Sequence, residues 1–81
     1  MNYNEFLEIL KYQSKNGKIM SLNKVKRDYY TLFLNAMITY NTNNPTKKVN
    51  ISSATYDLYF DRAIDEGKLL RVCCGYFKLK Y

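Results

Sequence analysis

The sequence predicts an α+β domain, three helices followed by a C-terminal β-hairpin, and three observations carry that reading. Apolar residues recur at helical spacing in three separate stretches. Each stretch is bounded by capping or breaking residues. The last thirteen residues are instead two short β-prone runs around Gly75. At 81 residues with 47% hydrophobic content, one Pro and three Gly, the chain is long enough for one core and too short for two. A single domain over 1–81 is expected.

In the first stretch Tyr3, Phe6, Leu7 and Leu10 follow one helix face, and Asn2 or Asn4 is placed to cap it. Asn16-Gly17 supplies a stop, with Lys11 and Lys15 near the negative end of the helix dipole. The expected helix is about 4–15. Lys18 to Ser21 is too short for a helix and reads as a short strand before a new cap at Ser21 or Asn23.

The second helix carries the strongest periodicity. Val25, Tyr29, Leu32, Phe33, Ala36, Met37 and Tyr40 form one face, predicting a helix over about 22–41. Tyr30, Leu34 and Ile38 add a second apolar stripe, for the core or for a partner. Lys24, Lys26 and Arg27 occupy its first turns, where cations oppose the dipole unless a polyanion lies nearby. Asn41 to Thr46 reads as a loop, because Pro45 turns Asn44 away from helix. Lys47 to Ile51 is expected to be extended.

Ser52 or Ser53 caps a third helix, about 53–66, with Tyr56, Phe60, Ala63 and Ile64 inward and Gly67 as its stop. Leu69 to Tyr81 then reads as the hairpin. A two-residue turn at Cys74-Gly75 pairs Val72 with Phe77, Arg71 with Lys78 and Leu70 with Leu79. In that register Leu70, Val72, Phe77 and Leu79 face inward. Arg71 and Lys78 then form a like-charged cross-strand pair, unfavourable unless an anion neutralises it.

Ser53-Ala54-Thr55-Tyr56, then Ala63 through Gly67 to Val72, then Gly75-Tyr76-Phe77-Lys78-Leu79 resemble a winged helix-turn-helix domain. The resemblance implies a capped recognition helix leading through an acidic-acidic-Gly-basic exit into a two-stranded wing, and duplex DNA as the partner. The chain departs from that family in two ways. Residues 41–52 intervene between the second and third helices, where the family has a brief turn. From Ser53 to Glu66 the acids Asp57, Asp61, Asp65 and Glu66 stand against the single base Arg62, a net charge of minus three. Asp57, Asp61 and Asp65 share one stripe, which repels phosphate and favours single-stranded or sequence-tolerant binding.

Thirteen Lys and Arg against seven Asp and Glu give a net charge of +6. Lys11, Lys15, Lys18, Lys24, Lys26 and Arg27 occur with no acid between them, and Lys68, Arg71, Lys78 and Lys80 cluster at the wing. The expected nucleic-acid-binding residues are Lys18, Lys24, Lys26, Arg27, Lys68, Arg71, Tyr76, Lys78 and Lys80, with Tyr12, Tyr30, Tyr76 and Tyr81 as stacking platforms. The alternative is a small inhibitor or accessory subunit of a phage or other mobile element. It would dock a protein through Asp57, Asp61 and Asp65 and the Tyr30/Leu34/Ile38 face, as a monomer or homodimer.

Several classes are disfavoured. There is no His to act as general base or metal ligand, and no Gly-rich phosphate loop. Cys73 and Cys74 are adjacent, a spacing suited to neither a disulfide framework nor a two-loop metal site. No enzymatic activity and no cofactor are expected. No apolar run approaches the roughly 20 residues of a membrane span and the first residues lack a basic signal-peptide start, so a cytoplasmic protein without a membrane partner is expected.

Overall fold

The computed structural model describes residues 1–14, 18–20, 26–72 and 76–80. Its elements run α1 (Tyr3–Gln13), β1 (Lys18–Met20), α2 (Lys26–Asn43), α3 (Ser53–Asp65), β2 (Leu69–Val72) and β3 (Tyr76–Leu79). This is the expected α+β arrangement, three helices with a C-terminal antiparallel hairpin. The short strand read at Lys18 joins that hairpin, giving a three-stranded sheet in the order β1-β3-β2 with both pairings antiparallel.

Each helix end has a local cause. Asn2 caps α1 in a reciprocal box: its side chain accepts from the Glu5 N–H at 2.8 Å, and the Glu5 carboxylate accepts from the Asn2 N–H at 3.0 Å. The helix closes at Ser14, whose N–H bonds the Leu10 carbonyl. The stop read at Asn16-Gly17 lies outside the described residues, as do the caps read at Ser21 and Asn23. Ser52 caps α3, accepting from the Thr55 N–H. At its other end Gly67 has φ +74°, Gly67 N–H bonds the Ile64 carbonyl and Lys68 N–H bonds the Ala63 carbonyl. That pair of bonds is a Schellman stop, and the left-handed residue it needs is the glycine.

Helix α2 runs through Asn41, Thr42 and Asn43, which the sequence reads as loop. Side chains finish the last turn: Thr42 Oγ1 donates to the Ile38 carbonyl, and Asn44 Nδ2 and the Asn44 N–H both donate to Tyr40 O. Pro45 then ends it. Residues 47–51 form no strand. The Asn41 carboxamide takes the place of a neighbouring strand, accepting from the Val49 N–H at 2.9 Å and donating to the Val49 carbonyl at 3.0 Å. Tyr30 Oη donates to the Ile51 carbonyl.

Rings join the sheet to α1 through one core. Phe77 of β3 meets Phe60 edge to face at 4.9 Å, Phe60 meets Tyr56 at 5.5 Å, Tyr56 meets Phe33 at 5.2 Å, and Phe33 meets Phe6 at 5.1 Å. Such pairs add about 0.5–1.5 kcal/mol each beyond their buried area. The expected inward residues Phe6, Leu10, Phe33, Tyr56, Phe60 and Ala63 are all buried. Ile9 is buried as well and widens the covered arc of α1 beyond the stripe read from Tyr3, Phe6, Leu7 and Leu10.

The hairpin register differs by one residue from the sequence reading. Leu69 pairs with Leu79, Leu70 with Lys78, Arg71 with Phe77, and Val72 with Tyr76. Three residues therefore separate the last pair where a two-residue turn is expected. A one-residue slip moves every side chain of one strand to the other face, and here the strand is β2, since Phe77 and Leu79 of β3 keep the inward side expected for them. Leu69 is thus buried beside Leu79, while Leu70, expected inside, is exposed.

Candidate nucleic-acid interface

The shifted register dissolves the expected Arg71/Lys78 pair and leaves another in its place. Lys78 stands opposite Leu70 on one side and directly opposite Lys18 of β1 on the other. A like-charged pair at direct ladder positions does exist, across β1 and β3 rather than within the hairpin. Arg71 shares the inner row with Phe77 and its guanidinium lies 5.7 Å from the Phe77 ring centroid, a cation over an aromatic face. Its charge also reaches Tyr29: burial raises the Tyr29 phenol above its ordinary value, and Arg71 pulls it the other way.

The remaining expected contacts are distributed unevenly. Lys80 is exposed, two residues beyond Lys78, and its N–H bonds the Lys68 carbonyl at 2.9 Å. Lys68 is committed within the fold: its ammonium lies 3.2 Å from Glu66 Oε1 and 5.1 Å from the Tyr3 ring centroid. Lys26 and Arg27 stand in the first described turn of α2. Lys24 lies outside the described residues. Tyr76 takes the ladder position between Val72 and Met20.

Of the expected stacking platforms, Tyr12 is 47% exposed and edge-on to Tyr40 at 5.8 Å. Tyr30 is instead a packing residue, its ring 5.1 Å from Tyr56 and its hydroxyl on Ile51. Tyr81 lies outside the described residues.

Helix α3 presents Asp57, Asp61 and Asp65 to solvent, with Leu58 among them at 68% exposure. The second apolar stripe of α2 is not a free face. Tyr30 and Leu34 pack half-buried against the core, and only Ile38 is open, at the rim of a shallow groove with Asn41, Thr42, Pro45 and Lys48.

One cluster escapes sequence reasoning. Tyr3 Oη donates to Glu66 Oε1 at 2.8 Å, Arg62 Nε donates to Glu66 Oε2 at 3.1 Å, and the Arg62 guanidinium sits 4.0 Å from the Tyr3 ring centroid. These bonds from Tyr3 and the two cations hold the Glu66 carboxyl down at about 2. Tyr3 is pushed up to about 12, first by burial and then by its bond to Glu66. Arg62 and Glu66 at four-residue spacing are a visible helix pair. Tyr3, sixty-three residues from Glu66, carries no local signal of the contact.

Among the described residues no group of three His, Cys, Asp or Glu is arranged to hold a metal, and no helix is long and apolar enough to cross a membrane. No family model matches the chain, and no curated protein or solved structure matches it.

Proposed function

We propose that this protein is a small non-enzymatic DNA-binding module, a variant of the winged helix-turn-helix, that engages phosphate through its sheet and helix ends with little dependence on sequence. One observation carries the reading: the β1-β3 ladder sets Lys18 directly opposite Lys78, with exposed Lys80 two residues on. Like charges at paired positions cost stability in a free protein, and a bound polyanion reverses the sign of that interaction. Element order supports the family assignment, since α3 passes through its Gly67 stop straight into the hairpin. The exposed aspartates of α3 oppose entry of that helix into a phosphate-lined groove, which moves the contact to the sheet.

Fluorescence anisotropy with labelled DNA at about 50 and about 200 mM salt tests the proposal. Affinity should fall steeply with salt as counterions compete for the phosphates. Affinity insensitive to salt, or no binding at either concentration, would defeat it.

A second reading draws on Leu58, exposed among the aspartates of α3: docking of a basic protein on that helix by an inhibitor or accessory subunit of a phage or other mobile element. The α2 stripe adds little to this reading, because Tyr30 and Leu34 are packed. Capture of a stoichiometric protein partner that Leu58→Ser releases would favour it over DNA binding.

A further inference from the structure

Leu58 at 68% and Ile38 at 61% are the most exposed large apolar side chains among the described residues, and they stand in opposite electrostatic settings. Ile38 lines a groove of about 390 Å³ with Asn41, Thr42, Pro45 and Lys48, and exposed Lys47 lies beside it in the same loop. The loop is held in shape from behind: the Asn41 carboxamide bonds both backbone groups of Val49, and the Lys47 N–H bonds the Asn44 carbonyl. Neither lysine has an ion-pair partner among the described residues. Leu58 occupies the outer side of α3, away from buried Tyr56 and Phe60, one residue after Asp57 and one turn before Asp61. Asp57 and Asp61 also interact within the fold, but an ionised carboxylate offers about four acceptor sites and both residues are exposed.

We propose that the groove at the end of α2 receives the Leu58 face of α3 from a second copy of this chain. The inference goes beyond DNA binding and uses none of the residues assigned to it, and it gives Leu58 an occupant other than a foreign basic protein. Complementarity names that occupant. The groove suits an apolar side chain flanked by negative charge, and α3 offers Leu58 between Asp57 and Asp61. The α3 face suits an apolar seat flanked by positive charge, and the groove offers Ile38 and Pro45 beside Lys47 and Lys48. Both surfaces are exposed, so they do not cover each other within one chain. Because each copy carries both, a two-fold axis makes the contact twice, with each Leu58 seated in the other copy's groove. Two small contacts, opposed by a net charge of +6 on each copy, make a weak dimer that forms at high protein concentration.

Sedimentation of the full chain from about 10 μM to about 1 mM, a range that brackets weak self-association, tests the proposal. The sedimentation coefficient should rise with concentration towards that of a dimer. Leu58→Ser and Ile38→Ser, both at exposed positions, should each weaken self-association about tenfold or more, the scale of an apolar side chain lost from an interface. Lys48→Glu alone and Asp61→Lys alone should also weaken it, because each sets like charges across the contact. The double variant Lys48→Glu/Asp61→Lys should restore it, a rescue that damage to the fold would not give. A monomer at every concentration, self-association that Leu58→Ser and Ile38→Ser leave unchanged, or a double variant no better than its singles would each overturn the proposal. A chain that stays monomeric but captures an acidic protein released by Ile38→Ser, or a basic one released by Leu58→Ser, would give these surfaces to foreign partners and overturn it likewise. None of these outcomes bears on the salt-dependent DNA titration, which stands or falls separately.

Discussion

The Tyr3 hydroxyl donates to Glu66 across sixty-three residues of chain, tying the first turn of α1 to the end of α3 where the hairpin begins. The same carboxylate receives Arg62 and Lys68, so one acidic side chain joins the helical layer to the entry of β2. Its titration has a defined sign. A carboxyl held at about 2 against its ordinary 4.5 contributes stability above pH 4.5, and that contribution drains as pH falls from 4.5 towards 2. Urea denaturation at pH 7 and pH 3 should show a clear acid loss in the wild type and a smaller one in Glu66→Gln. An equal loss in both would detach Glu66 from acid stability.

Tyr56 is 1% exposed and its hydroxyl finds no hydrogen-bond partner among the described residues. Burial drives the phenol well above its usual range, so its ionisation adds to alkaline unfolding once pH rises past the ordinary Tyr value. A buried hydroxyl without a partner costs about 1–3 kcal/mol. Tyr56→Phe keeps the ring contacts with Phe33 and Phe60 and removes that cost. It should stabilise the protein by about 1 kcal/mol in equilibrium denaturation; a loss of stability would mean that the hydroxyl has a partner.

Asn41 satisfies both backbone groups of Val49, which no strand pairs. Asn41→Asp retains the acceptor, removes the donor and sets a carboxylate against the Val49 carbonyl. It should destabilise by about 2 kcal/mol, in the range of a part-buried acceptor left unmade. Hydrogen exchange should show loss of protection at the Val49 amide in Asn41→Leu, which lacks both partners. Unchanged protection would remove the strand-like role assigned to this side chain.

Gly67 sits at φ +74° with nothing within 4 Å of the position a Cβ would take. The cost of a side chain there is therefore backbone strain without collision. Gly67→Ala should lose about 1–2 kcal/mol and Gly67→Asn less, because Asn visits the left-handed region more readily. Thermal melts of the two variants distinguish them; equal losses would point to a packing effect instead.

The helices were legible because caps, stops and apolar spacing are local. Asn2, Ser52 and Gly67 act where their chemistry places them, and Phe33, Tyr56 and Phe60 lie on the faces their spacing marks. The hairpin was legible as an element but not in register. Loop length sets pairing, and Cys73-Cys74-Gly75 admits a two-residue or a three-residue connection, which differ by the inversion of one strand: Phe77 and Leu79 stay inward while β2 turns over. That inversion moved Arg71 under the control of Phe77 and exposed Leu70. The pairing of β1 with β3, and with it the opposition of Lys18 to Lys78, joins residues sixty apart and has no periodic signal. The end of α2 lies beyond the sequence expectation because Asn-Thr-Asn-Asn reads as turn chemistry, while here Thr42 and Asn44 bond back onto carbonyls of α2.

Lys78→Glu tests the central claim most directly, because it separates stability from binding. The substitution turns a repulsive pair with Lys18 into an attractive one, so thermal stability should rise, by about 0.5 kcal/mol, while DNA affinity and its salt slope fall. A variant that binds DNA as tightly as the wild type, with the same salt dependence, would contradict the account.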